Sequence, residues 1–482
     1  MFKFFNLQGN NKTIYSLTFA IIILGVVFRF YNLNYDNLWF DETFTFWVTD
    51  PNISFNETFL RLKATESIPF LYYFLIKICN NIFGYEAEVG RYFSAIIGLL
   101  SIFSLGYLSK KISNDKSFLF ITCIVSLNIY LIIYSQEMRV YILTFFLTTL
   151  SLIFFFSTYQ EKNKKIFSLN NILFLFSTIL LILSHPFTII ILASIIILLL
   201  YDYLFLKKIN IKITLSILFL SIFTFAFLMH YFSYATVSIG WLKQPDLKFY
   251  TNFYFSKFFG SRIMGLIHLF ILIFLIIKSK KIIKNDNRLF LCVIIIILSY
   301  LIPLAYGYIF KPIIFPRYII FVLVPIFLLL SSLIFKIERS DYKNGIIILL
   351  ITLNLLNHFS ESTLKQFFSE RSFHKPRFEK ALQIIDQSNF NNASFYTENT
   401  STGQKDFINV VLSNYANSLI KKNKFNVNLV EGDLKNFDRK NIWNICLNIG
   451  GCSKPLKNFK ISKEIYFAGG LKLNLWEKIN EN

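Results

Sequence analysis

The sequence predicts a polytopic α-helical membrane protein with about 11 transmembrane helices, a first external loop of juxtamembrane helices and a small extracytoplasmic α/β domain. Of its 482 residues, 55% are hydrophobic and only 16% are charged, whereas soluble domains contain about 25% charged residues. The apolar residues form long blocks separated by short lysine-rich connections. Residues 361–482 differ, because their 18 basic and 12 acidic residues give an ordinary soluble composition. This pattern excludes a purely soluble globular protein.

Eleven apolar blocks are predicted to cross the membrane. A hydrocarbon core of roughly 30 Å requires about 17 to 25 apolar residues per helix. The predicted spans are residues 13–31, 89–108, 117–135, 140–158, 170–184, 187–206, 213–235, 263–277, 289–306, 319–335 and 344–360. The sequence therefore divides into a predicted transmembrane catalytic domain, residues 1–360, and a predicted soluble domain, residues 361–482.

The lysine-rich connections predict the orientation of these spans. Basic residues cluster in the connections at 110–116, 162–165, 207–212, 278–288 and 336–343. The positive-inside rule places such connections in the cytoplasm. All five satisfy it only if Pro69–Phe83, a 15-residue apolar block, does not cross. We therefore expect an interfacial or re-entrant helix there, inside a first external loop from about residue 32 to 90.

This orientation also predicts the location of both termini and the partners. The N-terminus is expected in the cytoplasm, the first span acts as an uncleaved signal anchor, and the C-terminal domain lies outside the cell (inner) membrane. The net charge of +21 is spread over separate connections, so it does not form the compact basic patch that binds nucleic acid. The lipid bilayer is the predicted partner, and nucleic acid is not.

The C-terminal domain has local signals for both helix and strand. Residues Arg377–Ser388 have a helical pattern, and Asn441–Leu447 and Glu464–Ala468 have strand patterns. Cys446 and Cys452 lie on the predicted oxidising side of the membrane, where they form either a disulfide or two free thiols.

Two adjacent carboxylates, Asp41 and Glu42, follow the first span. Neighbouring side chains on a helix point about 100° apart, so the two do not form one acid dyad. One is expected to face a site while the other caps or pairs locally. Alternatively, both carboxylates cap a juxtamembrane helix at the positive end of its dipole.

Other ionisable residues lie at the predicted external ends of spans, where such groups face a cavity or the headgroups. These candidates are Glu66, Arg91, Glu137, Arg139, His185, Lys311 and Arg317. All of them except Glu66 have a structural alternative: a headgroup anchor for Arg91, Lys311 and Arg317, a surface ion pair for Glu137 with Arg139, and a helix cap for His185. The external cations run against the positive-inside rule, which favours an anionic ligand.

Taken in order, these motifs resemble the lipid-phosphate-sugar-dependent glycosyltransferases of the GT-C fold. The group in question contains the protein O-mannosyltransferases and the aminoarabinose transferases (glycosyltransferase family 39). The resemblance covers roughly residues 10–335 and rests on Asp41-Glu42, Ile68–Tyr73, Phe83–Glu86, Arg91–Ala95, Tyr134–Tyr141, His185-Pro186 and Pro316–Tyr318. One departure is Ser67-Ile68-Pro69, where many relatives carry His, Thr or Lys before the proline.

The resemblance implies an activity and roles for several residues. Members of the family move one sugar, a hexose or a pentose, from a polyprenyl phosphate to a lipid, glycan or protein acceptor. Transfer takes place on the non-cytoplasmic face with inversion at the anomeric carbon. By motif position, Asp41 is the general base, and Arg139, Lys311 and Arg317 hold the donor phosphate.

Elementary chemistry supports the same division of roles. A phosphate is already a good leaving group, so transfer needs no general acid, unlike a glycosidase with its two carboxylates. It needs one base for the acceptor proton and cations for the departing phosphate. Asp41, Glu42, Glu137 and His185 also offer ligands for a divalent cation, but nothing fixes their geometry. The polyprenyl-phosphate sugar is expected as donor substrate, and no cofactor or essential metal is predicted.

Two other functions compete with this interpretation. An O-antigen-type polymerase or ligase is expected to have a large late external loop between spans. A lipid-linked sugar transporter or flippase is expected to have ionisable residues near the midplane and two repeated halves. The aromatic segment from Trp241 to Arg262 suits either an amphipathic guide for a polyprenyl tail or lipid acceptor, or an interfacial aromatic belt.

Overall fold

The computed structural model describes residues 11–33, 38–65, 68–161, 165–232, 242–360, 378–388, 393–399, 405–421, 425–430, 440–447, 452, 454–455, 458–467 and 470–479. The chain divides into two compact units. The helical unit contains Met1–Tyr31, Ile53–Gly84 and Val89–Phe368. The sheet unit contains Asn32–Asn52, Tyr85–Glu88 and Ser369–Asn482. The sheet unit thus combines two short segments of the predicted first external loop with the C-terminal residues.

Helices dominate the described residues. They are α1 (Asn11–Phe30), α2 (Phe40–Val48), α3 (Phe55–Thr65), α4 (Leu71–Phe83), α5 (Ala87–Ile112), α6 (Asp115–Leu127), α7 (Ile129–Ser135), α8 (Tyr141–Gln160), α9 (Leu169–Ile182), α10 (Ile189–Leu206), α11 (Ile211–Phe232), α12 (Leu247–Asn252), α13 (Phe255–Phe258), α14 (Arg262–Lys278), α15 (Lys280–Asn285), α16 (Asn287–Ile309), α17 (Leu323–Ile334), α18 (Ser340–Ser360), α19 (Phe378–Asp386) and α20 (Lys405–Lys421). Short 3-10 helices, Pro186–Thr188 and Pro316–Val322, precede α10 and α17.

Six of the described helical segments are long and apolar enough to cross a membrane. They are Ala87–Ile112, Tyr141–Gln160, Pro186–Leu206, Ile211–Tyr231, Asn287–Ile309 and Pro316–Ile334. The bent pair α6 and α7 makes a seventh if it forms one span. The protein is therefore a multi-pass membrane protein, as predicted, and the count of eleven spans stays a prediction. The block Pro69–Phe83 forms the short apolar helix α4 of 13 residues.

The centre of the helical unit is α17. Every residue of α17 is buried, although helices at a lipid surface keep one apolar face exposed. Helix α8 is also buried along most of its length and packs against α9. These two helices form the core that supports the loops at their ends.

The predicted span 117–135 is broken at Asn128. Helices α6 and α7 are bent by 62° at this residue. The Asn128 side chain caps α7, because its Oδ1 accepts from the Leu131 N–H at 3.0 Å, and its Nδ2 donates to the Phe258 carbonyl at 3.0 Å. A single polar residue therefore ends one helix, begins the next and ties both to α13.

Two basic side chains satisfy the carbonyl groups that this break leaves at the end of α6. The last four carbonyls of a helix have no partner within the helix. The Arg29 guanidinium of α1 donates to the carbonyls of Val125 at 2.8 Å and Ser126 at 3.0 Å. Nε2 of His358 in α18 donates to the Leu127 carbonyl at 2.8 Å. We call this arrangement the α6–α7 joint.

The aromatic segment after α11 packs into the helical unit. Phe249, Phe255, Phe258 and Phe259 are buried, and the Phe259 carbonyl accepts from Asn357 of α18 at 2.6 Å. The rings of these four residues therefore lie within the helical unit, and the choice between an amphipathic guide and an aromatic belt stays open. Trp241 lies outside the described residues.

The sheet unit contains a five-stranded sheet of order β2-β1-β3-β5-β4. Its strands are β1 (Ser394–Asn399), β2 (Asn428–Leu429), β3 (Asn441–Leu447), β4 (Phe459–Tyr466) and β5 (Leu471–Lys478). Strands β1, β2 and β3 are parallel, and β4 and β5 are antiparallel to their neighbours. Helix α20 connects β1 to β2 and packs on β1, which confirms the predicted α/β class. Cys446 and Cys452 form a disulfide.

Candidate functional site

The predicted external cations meet at one cluster in the helical unit. Arg139, His185 and Arg317 come from three separate connections, after α7, before α10 and before α17. Arg139 and His185 keep only 3% and 4% of their surface exposed, and Arg317 is half-buried. Arginine side chains match the oxygens of phosphate groups, so this cluster is a candidate anion site. We call it the cation cluster.

Arg139 is held by the tight turn that follows α7. Its N–H donates to the Glu137 carbonyl at 2.8 Å, and its Nη1 donates to the Tyr73 hydroxyl of α4 at 3.4 Å. The turn approaches α5 at Gly90, where a Cβ atom would overlap the Met138 side chain. The short turn, the tyrosine and the glycine together fix the guanidinium.

Arg317 lies among three aromatic rings. Its guanidinium carbon is 5.2 Å from the centre of the Phe315 ring, 5.5 Å from that of Tyr141 and 5.6 Å from that of Tyr318. Aromatic faces attract cations at these distances. These three rings therefore orient the guanidinium.

His185 adds a neutral imidazole beside the two arginines. Its Nδ1 accepts from the Phe187 N–H at 3.3 Å, so it caps the 3-10 helix, which was one of the alternatives from the sequence. Its ring centre also lies 5.5 Å from that of Tyr318. Burial lowers the pKa of His185 to about 3, and the charges of Arg317 and Arg139 add to this shift. At neutral pH the ring is therefore uncharged and carries its proton on Nε2.

The other predicted binding residues occupy different places. Arg91 is buried in α5, one residue after Gly90. Glu137 is buried in the turn that holds Arg139. Lys311 is exposed, between α16 and the 3-10 helix that carries Arg317. Glu66 lies outside the described residues.

The two predicted catalytic carboxylates lie on α2 in the sheet unit and have different environments. Glu42 is buried, and its Oε2 accepts from the Trp39 N–H at 3.4 Å, at the N-terminal end of α2. Asp41 is only half-buried. Glu42 therefore caps the helix, whereas the expectation that Asp41 faces a site stays a prediction. The catalytic role of Asp41 stays a prediction.

Sequence reasoning did not assign roles to the tyrosines of the cation cluster. Tyr73 contacts Arg139, Tyr141 contacts Arg317, and Tyr318 contacts His185. From the sequence alone, these tyrosines were indistinguishable from the aromatic residues common at membrane interfaces. The signal was the position of Tyr141 and Tyr318 within two residues of an arginine. Among the described residues, no group of three His, Cys, Asp or Glu side chains is placed to hold a metal ion.

Comparisons with known proteins bear on the fold. No protein-family model matches the sequence, and no curated protein matches it. The crystal structure of ArnT from Cupriavidus metallidurans in the apo state superposes with a TM-score of 0.58 at 10% identity, over 96% of this chain and 98% of ArnT. The chain has the GT-C fold.

Two further structures agree with this assignment of the GT-C fold. ArnT from Cupriavidus metallidurans bound to undecaprenyl phosphate gives a TM-score of 0.56 at 10% identity, over 95% of this chain and 98% of ArnT. The apo oligosaccharyltransferase from Archaeoglobus fulgidus gives 0.53 at 10% identity, over 89% of this chain and 69% of that protein. The fold expected from the sequence motifs is therefore confirmed.

Proposed function

We propose that this protein is an inverting glycosyltransferase that moves one sugar from a polyprenyl-phosphate donor to a lipid, glycan or protein acceptor. Transfer takes place on the non-cytoplasmic face of the cell (inner) membrane, with the N-terminus and the lysine-rich connections in the cytoplasm. The proposal rests on one observation: a protein with the GT-C fold brings Arg139, His185 and Arg317 together in the cation cluster. ArnT, which shares the fold, has been crystallised with undecaprenyl phosphate, and this supports the class of donor.

Arg139 and Arg317 hold the donor phosphate in this proposal. Arginine presents planar N–H donors that match phosphate oxygens. Neutral tyrosine and phenylalanine rings surround Arg317, and a site poor in water strengthens each ionic hydrogen bond. His185 contributes an uncharged Nε2–H donor, while Lys311 and Arg91 add positive charge at the same ends of the bundle.

The proposed transfer reaction needs only one base, which removes the proton of the acceptor hydroxyl. Asp41 takes the proton from the acceptor hydroxyl as the acceptor oxygen bonds to the anomeric carbon. The bond between that carbon and the phosphate oxygen breaks on the opposite face, so the configuration inverts. The electron pair stays on the departing polyprenyl phosphate, whose added charge Arg139 and Arg317 stabilise.

A transfer assay in reconstituted vesicles tests this function. Purified protein is given polyprenyl-phosphate sugars with a radiolabelled hexose or pentose, together with lipid, glycan or peptide acceptors. We expect label to move to an acceptor and free polyprenyl phosphate to accumulate. If the donor lipid instead crosses the bilayer with its sugar bond intact, the protein is a transporter and the proposal is wrong.

A further inference from the structure

The helix that carries Asp41 is too short to hold its own position. Helix α2 has nine residues, and isolated helices shorter than about 12 to 15 residues are marginal in water. Its geometry must therefore come from its contacts. At the N-terminal end of α2, Glu42 accepts from the Trp39 N–H. The C-terminal end of α2 needs contacts of its own.

Tyr85 fixes that end of α2. Its ring stacks on the Phe46 ring, with centres 3.9 Å apart and an angle of 5° between the planes. Its hydroxyl donates to the Phe46 carbonyl at 2.7 Å. This carbonyl is one of the last four in α2 and also accepts from the N–H of the C-cap residue Thr49 at 3.2 Å. The Tyr85 hydroxyl is therefore an additional donor to it, and it comes from outside the helix. Tyr85 thus holds Phe46, near the C-terminal end of α2, through both its ring and its hydroxyl.

The C-terminal residues hold Tyr85 in turn. The Tyr85 hydroxyl lies 3.1 Å from Oδ1 of Asn414 in α20. The next residue, Tyr415, sets the edge of its ring against Phe46 with centres 6.0 Å apart, and its hydroxyl donates to Glu379 of α19 at 2.8 Å. These residues all belong to the sheet unit, so its helices and α2 form one packed body.

We propose that the C-terminal domain positions the catalytic base, and that Tyr85 is the positioning residue through which it acts on Asp41. This inference rests on the proposed function, in which Asp41 takes the acceptor proton. A displacement of about 1 Å at a reacting group can cost about 10²-fold in rate. Loss of the Tyr85 hydroxyl, which leaves the stacking ring in place, is therefore expected to lower kcat by about tenfold.

Two matched tyrosine variants test the proposal. Tyr85→Phe removes the hydroxyl that holds α2, while Tyr415→Phe removes a hydroxyl that bonds within the same unit to Glu379. We expect Tyr85→Phe to lower kcat with little change in KM for the donor, and to speed amide hydrogen exchange in residues 40–48. Tyr415→Phe should change kcat and the exchange rates of residues 40–48 by no more than about twofold. Asn414→Ala should lower kcat, and its effect should not add fully to that of Tyr85→Phe.

Distinct results would overturn this inference. Wild-type kcat in Tyr85→Phe contradicts it, whatever the exchange rates, and equal losses in Tyr85→Phe and Tyr415→Phe show only a general loosening of the unit. Failure of the proposed function looks different: wild-type protein transfers no sugar, or Asp41→Asn retains the full rate. In that case the exchange rates of residues 40–48 still decide whether Tyr85 holds α2.

Discussion

The two units hold their charged groups by different means. In the helical unit, Arg139 and Arg317 sit at the ends of packed helices, among buried tyrosines and a neutral histidine. In the sheet unit, Asp41 is half-buried on a helix of nine residues that the other residues of the unit support. Burial does not separate the two units, because Arg139 and Glu42 are buried whereas Arg317 and Asp41 are half-buried. The difference lies in the support, which is aromatic side chains around Arg317 and a short helix under Asp41.

In the proposed function, the two kinds of charged group have different chemical requirements. A phosphate is bound more strongly where the dielectric constant is low. A carboxylate base must instead stay ionised and reach an acceptor hydroxyl, and burial would favour its protonated form. In the proposed function, the helical unit therefore binds the donor and the sheet unit removes the acceptor proton. Substitutions in the two units should alter separate kinetic quantities.

Asp41→Asn should give the largest effect. Removal of a general base costs about 10²- to 10⁴-fold in rate, so we expect kcat to fall by that factor while the Kd for undecaprenyl phosphate stays within about twofold. Radiolabel transfer and equilibrium binding measure the two quantities. Asp50→Asn, a carboxylate of the same unit, is the control. A large loss of donor binding in Asp41→Asn would contradict the division between units.

Arg29→Met should destabilise the helical unit. The substitution leaves the carbonyls of Val125 and Ser126 without their donor, and each unsatisfied buried group costs about 1 to 3 kcal/mol. We expect the unfolding free energy to fall by about 2 to 5 kcal/mol, seen as a lower thermal midpoint in detergent. Hydrogen exchange in β3 should not change. Faster exchange in β3 would show that the two units are not independent.

Arg317→Lys should weaken donor binding by about tenfold. Lysine keeps the positive charge but loses the planar donors and much of the stacking on Phe315, Tyr141 and Tyr318. We expect the Kd for undecaprenyl phosphate to rise while kcat at saturating donor changes less. The exposed Arg262→Lys supplies the control. If kcat falls and the Kd is unchanged, Arg317 does not bind the ground-state phosphate.

The pH dependence of the unfolding free energy should be the smallest of these effects. The folded-state pKa of His185 is lowered to about 3 by burial and by the charges of Arg317 and Arg139, against about 6.5 in the unfolded chain. Stability from the neutral ring is therefore complete above pH 6.5 and is lost as the pH falls towards 3. We expect a loss of about 1 kcal/mol between pH 6.5 and 5.5, measured by denaturation without donor. His185→Asn should reduce this slope, and an unchanged slope would assign it to other groups.

Local sequence patterns were enough to predict much of the fold. Strand β3 matches the predicted run Asn441–Leu447, and α19 lies within the predicted helix at residues 377–388. Both depend on alternating or helical patterns of apolar residues within a few turns of chain. The ordered motifs also led to the GT-C fold, because polar residues stand out at the ends of apolar blocks.

Long-range pairings explain what the sequence did not predict. The break at Asn128 depends on Phe258, 130 residues away, and on Arg29 and His358, which lie 96 to 231 residues from the carbonyls they bind. Within one apolar block, a single asparagine does not signal a bend. Tyr85 and Asn414 are 329 residues apart in the sequence. Local sequence patterns therefore could not predict that α2 packs with the C-terminal residues.

The α6–α7 joint also constrains how the protein is assembled during synthesis. Arg29 leaves the ribosome almost 100 residues before the carbonyls of Val125 and Ser126, and His358 follows Leu127 by 231 residues. Helix α1 is therefore synthesised while its arginine still lacks these partners. Its final packing must wait for α6 and α7, and the joint closes only when the end of α18 has been made.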